Sequence, residues 1–544
     1  MEFEDVPWRM ANSRRNDYRL IAHVDFSAAS ALATPRSTTE RTSFMPGYDV
    51  TRRGFLHRTG AIGAGTAFAS LAGRTTASAS TAASAAPLLQ APGPYGATPE
   101  SLAAHTAPRW YRDAKFGIFI HWGVYAVPAW GVDAAYHAAE WYSYAMHISA
   151  PDQTYQHHLR AYGADFDYDR FIPRFRAEHY DARAWIELIE HAGARYFVLT
   201  SKHHDGFQLF PNSASDRNSV VMGPRRDLVG ELFDAARTSP LKRGIYHSLG
   251  EFFNPALQTP PWNPYTKAPI PYVGYKPVQN YVDDYLHVML KSLVEAYDPD
   301  LLWADGEHWH ADLGAGPAFK PRDMDWRGDE ILAYYYNQAA TRPDPKEVLV
   351  NDRFEASHRD YATLEGDKSS YALRADKWEA CLTLGRSWGY DTNEDPASIK
   401  SSPQIVRLLV DIVSKNGNLL LNIGPKSDGT IASWQSERLL AVGAWLARNG
   451  SAIYDTVPWS RAADGDMRYT VSERSFNVLG LSWPGALLTV PADLPVEAHS
   501  QIRLLGAEGH KIPFRRTGSG VEIELPDRNP NGDDYPFVLR ITKS

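Results

Sequence analysis

Asp305 closes the apolar run LLWA (301–304), and Gly306 follows it at once. A carboxylate there sits at the rim of a core, where a rigid strand end fixes its direction and glycine lets the backbone turn away. The same pattern recurs along the chain. His121-Trp122 follows FGIFI, SKHHDGF (201–207) follows YFVLT, Tyr246-His247 follows RGI, and NDR (351–353) follows VLV. One histidine near a strand end is more often a structural hydrogen-bonder than a functional group. Five polar clusters at five strand ends are another matter, provided the fold brings those ends together.

Several chemistries can be weighed on residue type and spacing. His203, His204 and Asp205 contain metal-ligand types, but neighbours on an extended strand point to opposite faces, which argues against one shared ion. Within SKHHDGF there is neither an H-x-H nor an H-E-x-x-H. GRSWG (385–389) has the residue types of a G-x-S-x-G elbow, but the turn-rich YDTNEDP follows it where that elbow needs a helix, and a strand-linked G-x-G-x-x-G is absent, which disfavours serine hydrolysis and dinucleotide binding. A carboxylate held rigidly at a strand end suits acid, base or nucleophilic work. A sugar-binding protein without turnover would have no need of it. The remaining alternatives are a metal-dependent barrel hydrolase and such a non-catalytic binder.

The elements that position these groups alternate. DARAWIELIEHAG (181–193) places Trp185, Leu188, Ile189 and Ala192 on one helical face, with Gly193 as its stop, and the strand RYFVLT follows. DLVGELFDAARTS leads into RGIYHS, and VQNYVDDYLHVMLKSLVEAYDPD into LLWADG. VLVNDR and ACLTL read as further strands. SPQIVRLLVDIVSKNG presents Ile405, Leu408, Leu409 and Ile412 as one stripe before LLLNIGP. Seven or eight such units with nearly continuous apolar strands predict a parallel sheet covered on both faces. A (β/α)8 barrel fits the count best, an open doubly wound sheet less well, and in a barrel the C-terminal strand ends converge on one pocket. Beyond residue 455 the period becomes two, as in YPFVLRIT, which predicts an antiparallel β-sandwich domain. The expected division is 1–86, 87–455 and 456–544.

Composition narrows the partners. Acids outnumber bases 64 to 56 with no long basic run, which argues against nucleic acid or an anionic membrane surface. The single cysteine, Cys381, excludes an internal disulfide and a cysteine metal cluster. Sixteen Trp and 29 Tyr suit sites where flat rings meet hydroxyl-rich ligands. Near the N-terminus, TRRGFLHRTGAIGAGTAFASLAG (51–73) pairs Arg52 and Arg53 ahead of a weakly apolar stretch, and ASASTAASAAP offers small-residue cleavage sites near Ala79 and Ala85. This resembles a bacterial twin-arginine signal peptide, implying an exported protein with no membrane span when mature, translated from Met45.

The motifs FGIFIHWG, EWY (140–142), SKHHDGFQLF, GIYHSLGE, LLWADGE, VNDR, KWEACLTLGRSWGY and NGNLLLNIGP together resemble the α-L-fucosidases of glycoside hydrolase family 29, in order from about residue 90 to 455. The resemblance implies a (β/α)8-type barrel followed by a β-sandwich, and a retaining exo-glycosidase acting on fucosylated oligosaccharides or glycoconjugates without cofactor or metal. Asp305 matches the nucleophile. Retention requires a second carboxyl group roughly 5–5.5 Å away. Glu355, Glu365, Asp367 and Glu379 all lie in the stretch beyond NDR. The resemblance of DYATLE to the family's acid/base segment selects Glu365, and Glu379, in an apolar run, is the reserve or a structural carboxylate paired with a barrel cation. By motif, His121, Glu140, His203, His204, Tyr246 and Arg353 match groups that bind fucose hydroxyls or orient the nucleophile, while Trp141 and Trp303 match pocket rings. For Glu140 and Arg353 the competing reading is an ion pair between two loops.

Overall fold

The computed structural model describes residue 89 and residues 91–542, except 133–137, 148–152, 258–262, 271–272, 308–323, 367–370 and 508–510. The paired arginines, the cleavage sites, Met45 and Asp367 lie outside the described residues.

Eight strands form one sheet: β1 (Phe116–Ile120), β2 (Tyr196–Lys202), β3 (Lys242–Ser248), β4 (Leu301–Asp305), β5 (Leu349–Val350), β6 (Ala362–Glu365), β7 (Trp378–Thr383) and β8 (Gly417–Ile423). Their order is β5-β4-β3-β2-β1-β8-β7-β6, and every pairing is parallel. The β1–β8 pairing curls the sheet towards a barrel, while β5 and β6 share no ladder and leave a seam. Strands β1, β2 and β8 are buried at every position. Both faces are therefore covered, which explains their unbroken apolar runs.

The outer layer carries α1 (Ala182–His191), α2 (Leu228–Ala235), α3 (His287–Tyr297), α4 (Gly328–Thr341), α5 (Ser402–Ser414) and α6 (Ser433–Asn449). Asp181 caps α1 by accepting from the Arg183 and Ala184 amides, and Gly193 ends that segment at φ +80°. Ser401 and Gln404 form a capping box on α5. The βα alternation lapses at one place. Among the described residues, no helix separates β5 from β6 or β6 from β7. The stretch DYATLE contains β6, a short strand whose Thr363, Leu364 and Glu365 are not fully buried.

Beyond Val457 two antiparallel sheets, of five and three strands, enclose a separate core that includes Tyr469, Phe476, Val490, Ile523, Leu539 and Ile541. The predicted alternation in YPFVLRIT breaks at Val538, which is also buried. Val538 and its paired neighbour Leu479 join the barrel's hydrophobic cluster instead, so this sheet buries both faces over part of its length. Each such side chain contributes about 1.5–3 kcal/mol by burial. The Trp445 indole donates to the Pro536 carbonyl at 2.9 Å, and Arg468 pairs with Asp411 at 2.5 Å. Among the described residues, no helix is long and apolar enough to cross a membrane.

Candidate active site

The C-terminal strand ends surround a cavity of about 390 Å³, lined by Phe119, His121, Trp141, His203, His204, Tyr246, Trp303, Asp305, Glu307, Asp352, Arg353, Thr363, Glu365 and Trp388. That volume suits a small ligand such as one sugar ring. Nine of the ten residues singled out from sequence are on this wall. The exception is Glu140.

Asp305 ends β4, whose carbonyl accepts from the Leu249 amide at 2.8 Å and so fixes the strand end. Its two oxygens are held separately. Tyr246 Oη donates to Oδ2 at 2.7 Å, with His204 Nε2 3.4 Å from the same atom, and Arg353 Nη1 donates to Oδ1 at 2.8 Å. Burial alone would raise this carboxyl, but His204, Arg353 and Tyr246 outweigh it and hold it well below the ordinary carboxylate range. It stays ionised.

Glu365 ends β6 and meets the other arm of the same guanidinium, Nη2 to Oε1 at 2.6 Å. Its side chain keeps 42% of its surface open, yet its pKa is raised. Desolvation is the largest cause, Arg353 opposes it and Asp305 adds to it. Two carboxyl groups in one cavity are thus pushed in opposite directions, the pattern that separates a nucleophile from an acid. Arg353 is itself positioned: Nε donates to Thr363 Oγ1 at 3.0 Å, and its guanidinium lies 4.9 Å from the Trp303 ring centre.

His203 and His204 both line the cavity, with ring centres 4.2 Å apart. The expectation that neighbours diverge fails because β2 ends at Lys202, where a register irregularity against β3 breaks the pleat. His204 Nδ1 meets Ser248 Oγ at 2.6 Å. His203 stacks on Tyr246, and among the described residues its buried Nδ1 has no hydrogen-bond partner. His121 Nδ1 lies 2.7 Å from Asn422 Oδ1, and burial drives its pKa down to about 3. Burial lowers His121 and His203 alike, which makes these two imidazoles neutral donors or acceptors for hydroxyl groups. The cavity's histidines and carboxylates do not converge as metal ligands would, among the described residues.

Glu140 is buried and lies behind the wall. Its Oε2 accepts from the Trp388 and Gly389 amides, both at 3.0 Å, and burial raises it to about 7. It shapes the turn that presents Trp388 rather than pairing with Arg353. Glu379 is fully buried inside the barrel and does not line the cavity. It accepts from Tyr111 Oη at 3.0 Å, Tyr196 Oη at 2.6 Å and Trp303 Nε1 at 3.0 Å, so its partners are hydroxyls and an indole instead of a barrel cation.

Five wall residues were not singled out: Phe119, Glu307, Asp352, Thr363 and Trp388. Thr363 shares a face of β6 with Glu365 two residues on, but the sequence does not mark that strand. Glu307 is pushed up to about 8, first by burial and then by Asp305. It stands two residues past Asp305, where a glutamate reads as an ordinary solvated loop residue.

The alpha-L-fucosidase family profile matches residues 82–451. The chain is 34% identical over 469 residues to "Alpha-L-fucosidase" of Dictyostelium discoideum, covering 82% of this chain and 95% of that one. It is 36% identical over 465 residues to "Tissue alpha-L-fucosidase" of Rattus norvegicus, covering 83% and 93%. Among solved structures, the Thermotoga maritima alpha-fucosidase is similar with a TM-score of 0.68 and 37% identity, over 82% of this chain and 99% of that one. The same enzyme's complex with fucose aligns equally well, at a TM-score of 0.68 and 37% identity over 82% and 100%. With its curled eight-stranded sheet and the C-terminal antiparallel domain behind it, this chain belongs to the alpha-L-fucosidase family.

Proposed function

We propose that the protein is a retaining exo-α-L-fucosidase in which Asp305 is the nucleophile and Glu365 the acid/base. One observation carries the assignment: a single guanidinium, Arg353, touches both carboxyl groups in one cavity. Asp305, ionised and fixed at a strand end, attacks the anomeric carbon and forms a covalent fucosyl-enzyme. Glu365, whose pKa its surroundings raise, gives its proton to the departing glycosidic oxygen. Ionised after that step, it takes a proton from water, which then attacks the anomeric carbon and frees Asp305. His121, His203, His204 and Tyr246 offer donors and acceptors to the sugar hydroxyls. Trp141, Trp303, Trp388 and Phe119 supply an apolar wall that suits the methyl group of a 6-deoxy sugar.

The substrates are fucosylated oligosaccharides or glycoconjugates. Residues 87–455 carry the chemistry and 456–544 form the accessory domain, while 1–86 direct export through the twin-arginine route. Incubation with a panel of fucosylated oligosaccharides should release fucose, and nuclear magnetic resonance of the first product should show the α-anomer. Initial release of β-fucose would mean inversion, and the assignment of Asp305 as a nucleophile would fall.

A further inference from the structure

Beside the seam between β5 and β6, two histidines and one aspartate meet around a single oxygen. His105 Nδ1 is 2.7 Å and His358 Nε2 3.4 Å from Asp360 Oδ1, and the three ligand atoms lie within 4.8 Å of one another. Asp360 precedes β6, and none of the three residues lines the catalytic cavity. At about 3.3 Å per residue along a strand, Glu365 is roughly 16 Å further on.

We propose that His105, His358 and Asp360 form a structural binding site for a divalent transition ion, zinc being the best fit. Two imidazole nitrogens with one carboxylate oxygen suit zinc, whereas calcium and magnesium take oxygen ligands. Tetrahedral ligands about 2.0–2.1 Å from zinc stand roughly 3.3 Å apart, so the 3.4 Å between His358 and Asp360 already suits the ion, while His105 must draw back from its 2.7 Å contact by about half an ångström. The surrounding groups orient the ligands. Asp360 Oδ2 accepts from Tyr336 Oη at 3.0 Å and from the Val350 amide at 2.8 Å, leaving Oδ1 for the ion. His105 stacks on Tyr336 with ring centres 3.7 Å apart and planes 4° from parallel, which fixes its Nδ1 direction. The His105 and His358 side chains are 11% and 15% exposed, so an ion can enter.

The site would act as a clamp. Asp360 already stands in for the missing ladder, its amide donating to the Val350 carbonyl at 3.4 Å. An ion bound there ties residue 105 to the connection that begins just after Arg353 and ends in β6. It holds the one seam in the sheet without touching the chemistry.

The test uses the full chain, stripped with chelator and dialysed against buffered micromolar zinc. Wild-type protein should retain one zinc per chain and show a raised unfolding midpoint. His105→Phe, which keeps the stack, and His358→Ala should each weaken zinc binding at least ten-fold and lose the midpoint rise. Tyr336→Phe should weaken it about ten-fold through the carboxylate it orients. Failure of the wild type to retain zinc, or equal retention by both histidine variants, would overturn the site.

Discussion

Arg353 lies 2.6 Å from Glu365 while its other arm lies 2.8 Å from Asp305. The cation therefore acts on both carboxyl groups and stabilises the ionised form of each. Burial and the Asp305 charge overcome that effect at Glu365, but not at Asp305, which has Tyr246 and His204 besides. Arg353 holds the two groups in register, and their unequal surroundings keep them different.

Removal of this cation should shift the acid side of the activity profile. Asp305 has a lowered pKa, so it is ionised and competent from well below pH 3.8 upward in the wild type. Arg353→Met deletes a major cause of that lowering, and the pH below which activity is lost should rise. Turnover on an aryl fucoside at neutral pH should also fall, on the order of 10²-fold or more, because a charge-stabilising donor is gone. Measuring kcat/KM from pH 3 to 9 checks both. An unmoved acid limb would show that Arg353 does not set the state of Asp305.

Glu379 should matter to stability more than to chemistry. Glu379→Ala leaves two buried phenols and the Trp303 indole without their acceptor. Each unpaired donor costs about 1–3 kcal/mol, so unfolding free energy should drop by about 3 kcal/mol or more. Residual activity should not be rescued by azide. Azide rescue with unchanged denaturant midpoint would make Glu379 a catalytic group instead.

What the sequence revealed tracks how each element is buried. Strands β1 to β4 and β8 were legible because burial on both faces writes an unbroken apolar run. β6 was not, since it borders the seam, is four residues long and carries Thr363 and Glu365 on one face. Glu365 was reached through family resemblance, not through its pattern. The pairing of His105 with Asp360 spans 255 residues and leaves no local trace. Glu307 and Glu140 show a different limit: their raised pKa values come from burial, which exists only after folding.

Export should depend on the paired arginines at 52 and 53. In a bacterial host with a twin-arginine translocase, the wild-type chain should reach the extracytoplasmic fraction as a shortened form. The Arg52→Lys/Arg53→Lys variant should remain cytoplasmic and uncleaved. Equal export of both would remove the twin-arginine reading while leaving the catalytic assignment intact.

The two carboxyl groups can be told apart by what azide does. In Asp305→Gly the nucleophile is missing, and turnover should disappear on every fucoside. Azide can occupy the vacated face, so the rescued product should be the inverted β-fucosyl azide. Glu365→Ala should behave differently. An aryl fucoside with a good leaving group needs little protonation, so fucosylation of Asp305 should proceed and the covalent intermediate should build up. Azide attacking that intermediate should give the retained α-fucosyl azide. Oligosaccharides with poor leaving groups should lose about 10²–10⁴-fold, the usual worth of general acid catalysis. The pH profile supplies a second readout. Glu365 is raised, so in the wild type it loses its proton, and activity declines, as pH rises through that raised value. Glu365→Ala should abolish that decline on the aryl substrate. If the basic limb persists there and instead vanishes in Glu307→Gln, the proton comes from Glu307, which burial and Asp305 push up to about 8. In that outcome Asp305 keeps its role and Glu365 becomes a binding group held by Arg353.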